Sequence, residues 1–130
     1  MSIRARTGHF AKGAEMRLGG IVSELVADPQ KLLNYALSPD NPKGKHKAYV
    51  FQQKLGYNQG NYELLLHQIL TQVMDGEAIA TKKDRHGQRY QVDLEIAGIN
   101  QQQREIVRTV WIVAPSSQEL ARLVTLYVRK

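Results

Sequence analysis

Arg89-Tyr90-Gln91-Val92-Asp93-Leu94-Glu95-Ile96 changes between polar and apolar at every step. A strand points successive side chains to opposite faces, so Tyr90, Val92, Leu94 and Ile96 form a dry face and Arg89, Gln91, Asp93 and Glu95 a wet one. Downstream, residues 105–113 are β-branched and aromatic on both faces, the composition of a central strand, and residues 120–128 form another. Upstream, Glu77 to Lys82 reads as a weaker first strand. The turns at Asp84–Gly87 and Gly98–Gln102 are short enough for hairpins, which makes the sheet antiparallel.

On the N-terminal side of Asp75-Gly76 the period changes. Tyr62, Leu65, Leu66, Ile69, Leu70 and Val73 fall at the spacing of one helix face, with Glu63, His67, Thr71 and Gln72 opposite. Ala48, Phe51 and Leu55 predict an earlier helix stopped by Gly56. Asp28-Pro29 opens a third, short one, in which Leu32, Leu33, Ala36 and Leu37 share a face before Pro39. Helices first and strands afterwards give an α+β fold: two or three N-terminal helices packed on one face of a roughly four-stranded antiparallel sheet.

This arrangement assigns faces. With Val92 and Leu94 against the helices, Thr109, Trp111 and Val113 also point inward, and Arg108 lies on the open face with Ile106, Val110 and Ile112. In the last strand Val124, Leu126 and Val128 are expected in the core, with Thr125 and Tyr127 beside Arg108. A slip of one residue reverses each assignment.

The chain has 130 residues, enough for one domain, expected over residues 21–130. Residues 1–20 differ: Arg4, Arg6, Lys12 and Arg17 stand against Glu15 among four glycines, which predicts a flexible basic lead-in. The formal charge of +6 favours polyanionic partners such as nucleic acid or an acidic protein. With no cysteine, disulfides, thiolate catalysis and iron-sulfur clusters are excluded. No apolar run nears the roughly 18 residues of a membrane helix. Neither paired metal ligands at ligand spacing nor a nucleotide-binding glycine loop occurs, so no metal and no cofactor is expected.

Chemistry concentrates in Asn41-Pro42-Lys43-Gly44-Lys45-His46-Lys47, where lysines and a histidine crowd a helix start. Asn41 suits the N-cap and Pro42 the first turn, so the amides that follow point their positive dipole end at any anion. Phosphate is the natural guest, with Lys43, Lys45 and Lys47 as its binding residues. Imidazole changes charge near neutral pH, so His46 adds proton transfer. Cleavage of RNA without a metal needs a base for the 2′-hydroxyl, an acid for the leaving oxygen and a cation for the phosphate. His46 can serve as base or acid, Arg108 as a phosphate clamp, and Thr125 and Tyr127 as hydrogen-bond donors. Arg108 has a second reading, an interstrand salt bridge to Asp93 or Glu95. His86 fits a hairpin turn, His67 a wet helix face, and Trp111 a core anchor; Tyr49, Tyr57 and Tyr62 are better placed to stack on a base, although Tyr62 also belongs to the core face of its helix.

Two segments carry a resemblance: Leu37-Ser38-Pro39-Asp40-Asn41-Pro42-Lys43-Gly44-Lys45-His46-Lys47-Ala48, and Arg108 to Val113 followed by Arg122 to Tyr127. Together they resemble a little-characterised bacterial domain family found alone and at the C-termini of polymorphic toxins. The element order is also similar to the barnase/EndoU/RelE group of metal-independent ribonucleases. That resemblance implies His46 acting with Arg108, Thr125 and Tyr127, and with Lys45, Lys47 or Thr109 as partners. The expected function is metal-independent RNA cleavage, with tRNA among the substrates, by a toxin or effector. The alternative is a non-catalytic basic module of a toxin-antitoxin or nucleic-acid complex. An immunity or antitoxin protein is the expected protein partner, and the expected location is the cytoplasm, its own or that of a target cell reached as part of a larger effector.

Overall fold

The computed structural model of the chain describes residues 3–6 and 16–129. Within them run strands β1 (Ile3–Arg6), β2 (Glu24–Ala27), β3 (Ile79–Asp84), β4 (Gly87–Ala97), β5 (Arg104–Val113) and β6 (Leu120–Val128), with helices α1 (Lys45–Leu55) and α2 (Tyr62–Gln72) between β2 and β3. The sheet order is β1-β2-β6-β5-β4-β3. From β3 to β6 it is the antiparallel meander that the hairpin turns predict.

The sheet has six strands rather than about four. β2 joins β6 in parallel, Glu24 beside Leu120 through Val26 beside Arg122, and β1 lies antiparallel to β2. Leu25, Val26 and Ala27 are all buried, so β2 carries no alternation to read. The expected lead-in also differs where it is described. Ile3–Arg6 is a strand, and Leu18 is buried, its amide donating to the Gly76 carbonyl at 3.1 Å. His9 and Lys12 lie outside the described residues.

Helix α1 buries Ala48, Phe51 and Leu55 and ends at Gly56, whose φ of 80° closes the left-handed cap. Helix α2 buries Leu65, Leu66 and Ile69 and tightens into a 3₁₀ turn at Val73–Asp75. Among the described residues, no helix is long and apolar enough to cross a membrane. The segment after Asp28-Pro29 is a five-residue π-helical turn, Leu32–Ala36, with the Leu37 amide donating to the Leu32 carbonyl at 2.8 Å. Leu32 and Leu37, the residues this bond joins, are both buried in the core.

Val92, Leu94 and Ile96 of β4 and Val107 and Trp111 of β5 meet the helices in one core. The fully buried Thr109 completes that face, its hydroxyl donating to the Val92 carbonyl at 2.7 Å and accepting from the Trp111 indole at 2.8 Å. Thr109 is therefore a core link, not a partner at the site. In β6, Leu126 and Val128 point inward as expected, but Val124 does not. Val110 pairs with Thr125 and Trp111 with Leu123, so Val124 is the extra residue of a bulge and Leu123 fills the core.

Candidate functional site

The site begins with a turn. Asn41 Oδ1 accepts from the amides of Lys43 (2.8 Å) and Gly44 (3.0 Å), and its carbonyl accepts from Lys45 at 2.8 Å. Asn41 thus caps the turn, while α1 starts at Lys45 and Pro42 stands outside it. The same bonds use amides that the sequence offered to an anion. Gly44 is buried, and a Cβ there would overlap the carbonyl oxygen of Tyr35. This close approach presses the start of α1 against the π-helical turn.

One turn on, Lys47 enters a polar nest. Its Nζ donates to the Tyr35 hydroxyl at 2.6 Å and to Thr125 Oγ1 at 3.2 Å, and lies 5.2 Å from the centre of the Tyr127 ring. Its 4.4 Å distance to the Tyr35 ring centre follows from the hydrogen bond to the hydroxyl of that ring. β2 pairs with β6 only over residues 120–122, so the edge of β6 beyond them is open to α1 and Tyr35. The Lys47 hydrogen bond pulls the Tyr35 phenol below its ordinary pKa, helped by the charges of Lys47 and Lys43 and opposed by burial.

His46, Lys47, Val50, Arg108, Tyr127 and Arg129 line one cleft of about 500 Å³. The sequence-derived residues His46, Arg108, Tyr127 and Lys47 therefore meet, and Thr125 touches the cleft through Lys47. Lys45 points elsewhere, into a second groove on the other side of His46, and Lys43 is exposed on the capping turn.

Arg108 takes its structural reading. Its Nε and Nη2 bind Asp93 in a two-pronged ion pair at 2.9 and 3.1 Å, and Arg129 Nη1 reaches the same carboxylate at 3.3 Å. Asp93 and then Tyr127, its cross-strand neighbour, hydrogen-bond the guanidinium and hold it further above its usual pKa. Among the described residues no side-chain hydrogen bond orients the His46 imidazole, and no group of three His, Asp or Glu is placed to hold a metal ion.

Residues 17–130 match a family described as a domain of unknown function, DUF6883. The chain belongs to DUF6883. No curated protein matches it. Among solved structures, it is similar to a chain of a contact-dependent growth inhibition toxin–immunity protein complex from Klebsiella pneumoniae 342. The TM-score is 0.60 at 12% identity, over 80% of this chain and 92% of that one. The likeness is one of fold.

In this DUF6883 chain, the sequence reading did not include Tyr35, which the structure places against Lys47. The available signal is a tyrosine next to Asn34, off the apolar face of Leu32, Leu33, Ala36 and Leu37 and a few residues before the basic run. Of the tyrosines expected to stack, Tyr57 is buried, its hydroxyl bound to the Ala97 carbonyl at 2.6 Å, and Tyr62 packs on the core. Tyr49 is 65% exposed. His86 occupies the hairpin turn, its amide donating to Asp84 Oδ1 at 2.9 Å.

Proposed function

We propose that this chain is a metal-independent ribonuclease domain of a bacterial toxin system, acting in the cytoplasm of its own cell or of a cell into which a larger effector delivers it. The observation that carries the reading is the shared cleft of His46, Lys47, Arg108 and Tyr127. Its parts match the needs of 2′-hydroxyl attack. His46 takes the 2′-hydroxyl proton as the 2′-oxygen bonds to phosphorus. Lys47, held in place by Thr125, neutralises the charge that builds on the phosphate oxygens, and Arg108 adds its remaining nitrogen, Nη1, while Asp93 keeps the other two. The Tyr127 hydroxyl gives its proton to the departing 5′-oxygen, leaving a 2′,3′-cyclic phosphate. The fold shared with a chain of a toxin–immunity protein complex supports the toxin context and an immunity protein as partner.

A second reading has its own observation. Asp93 occupies the fork of Arg108, so this arginine is paired before any phosphate arrives, which favours a basic binding module without catalysis. One experiment separates them: total tRNA with EDTA, the purified chain, and the variants His46→Ala and Arg108→Ala. The enzyme predicts EDTA-resistant cleavage that falls about a hundredfold or more in His46→Ala. Intact tRNA with retained, salt-sensitive binding overturns the enzyme and leaves the module.

A further inference from the structure

The groove on the far side of His46 has a volume of about 470 Å³ and carries side-chain amides where the first cleft carries arginines. Its floor is apolar, made by the buried Leu37, Ala48 and Tyr57. Tyr49 stands at its wall, 65% exposed. The rim carries amides: Gln52, Asn58 and Gln59.

Those amides are only partly used. Gln59 Nε2 donates to the Leu33 carbonyl at 2.6 Å, and Asn58 Oδ1 accepts from the Gly60 amide at 2.8 Å. Gln59 keeps its carbonyl oxygen, Asn58 its NH₂ and Gln52 both groups without a partner among the described residues. An exposed ring, an apolar floor and free donors and acceptors at the edge match a heterocyclic base, which stacks on one face and hydrogen-bonds along its edge. Lys45 and His46 line the same groove and no carboxylate does, so the groove favours an anionic group.

We propose that this groove holds the base of a nucleotide in single-stranded RNA, beside the phosphate bound at the Lys47 cleft. His46 lines both cavities and stands between base and phosphate. The placement of the phosphate rests on the ribonuclease reading; the base site stands on the groove itself. Tyr49 stacks on the base, and Gln52 and Asn58 read its edge, so this groove sets which nucleotide the protein prefers.

The test is a titration of the isotope-labelled full chain with the four 5′-nucleoside monophosphates and with ribose 5-phosphate, each to about 10 mM, a range that captures millimolar binding. A nucleotide is expected to shift the amide signals of Tyr49, Gln52 and Asn58, ribose 5-phosphate is not, and one base should bind best. Tyr49→Ala, at an exposed position, should weaken nucleotide binding about tenfold. The proposal is overturned if ribose 5-phosphate binds as well as the nucleotides, if no nucleotide binds, or if Tyr49→Ala binds them like the parent chain. Base-dependent binding with uncut RNA keeps the groove and removes the ribonuclease; EDTA-resistant cleavage without base-dependent binding does the reverse.

Discussion

Lys47 Nζ lies 2.6 Å from the hydroxyl of Tyr35, a residue twelve positions earlier in the chain. The contact joins α1 to the π-helical turn, and Thr125 Oγ1 at 3.2 Å ties both to β6. One ammonium thus holds three elements at the cleft. A phenol that accepts from a lysine keeps its own proton to donate, so Tyr35 adds a polar donor next to the basic residues.

The first prediction concerns titration. Phenolate is the charged form of tyrosine, and the Lys47 hydrogen bond lowers the Tyr35 pKa in the folded chain. Folding is therefore favoured by this pair above the unfolded value of about 10, and the contribution is lost as pH falls through the lower folded value. At neutral pH it adds nothing. Carbon NMR of the ring Cζ should show Tyr35 titrating below, and Tyr57, pushed up by burial, above the ordinary range. Lys47→Met should move Tyr35 upward and leave Tyr57 where it is.

Gly44→Ala should destabilise the chain by about 1–3 kcal/mol, because the new methyl overlaps the Tyr35 carbonyl oxygen and both sides of the contact are backbone. Urea unfolding measures the loss. The same variant should return the Tyr35 titration toward its ordinary value, since α1 must move away to make room.

Asp93→Asn removes the carboxylate shared by Arg108 and Arg129. Binding of single-stranded RNA, followed by fluorescence anisotropy across a salt series, should tighten, with a slope steeper by roughly one charge or more. Cleavage should fall at the same time, as Arg108 loses the two-pronged contact that aims it. Weaker binding with an unchanged slope would show that neither arginine meets the phosphates.

Thr109→Val keeps the shape of the core and deletes a hydroxyl that serves the Val92 carbonyl and the Trp111 indole. Both are left without that partner in a dry interior, a cost of about 1–3 kcal/mol by thermal or urea unfolding. RNA binding should not change, because Thr109 is buried on the helix side of the sheet.

What could be read in the sequence followed its periodicity. Alternation from Arg89 to Ile96 predicted β4 and its faces, and the spacing of Tyr62 to Val73 predicted α2. β2 escaped because a short strand buried on both sides has no period of two, and its partner β6 is remote in the chain. Val124 was misassigned because a bulge shifts the period by one residue and leaves no mark in composition. At the site, alternation placed Tyr127 on the same face as Arg108, while their direct pairing is a matter of register. The Lys47–Tyr35 contact depends on how closely Gly44 lets two backbones approach, and the capture of Arg108 by Asp93 was one of two readings that only register separates.

The parallel pairing of β2 with β6 has a consequence for synthesis. A ribosome makes β2 early, yet its partner residues Leu120 to Arg122 emerge only after both helices and three more strands. Until then β2 and β5 each lack a neighbour, and Thr125 and Tyr127 have not yet been added to the growing chain. Such remote pairing slows folding. It also keeps a nascent chain without a finished cleft, so a harmful activity there would switch on only after β6 has been made.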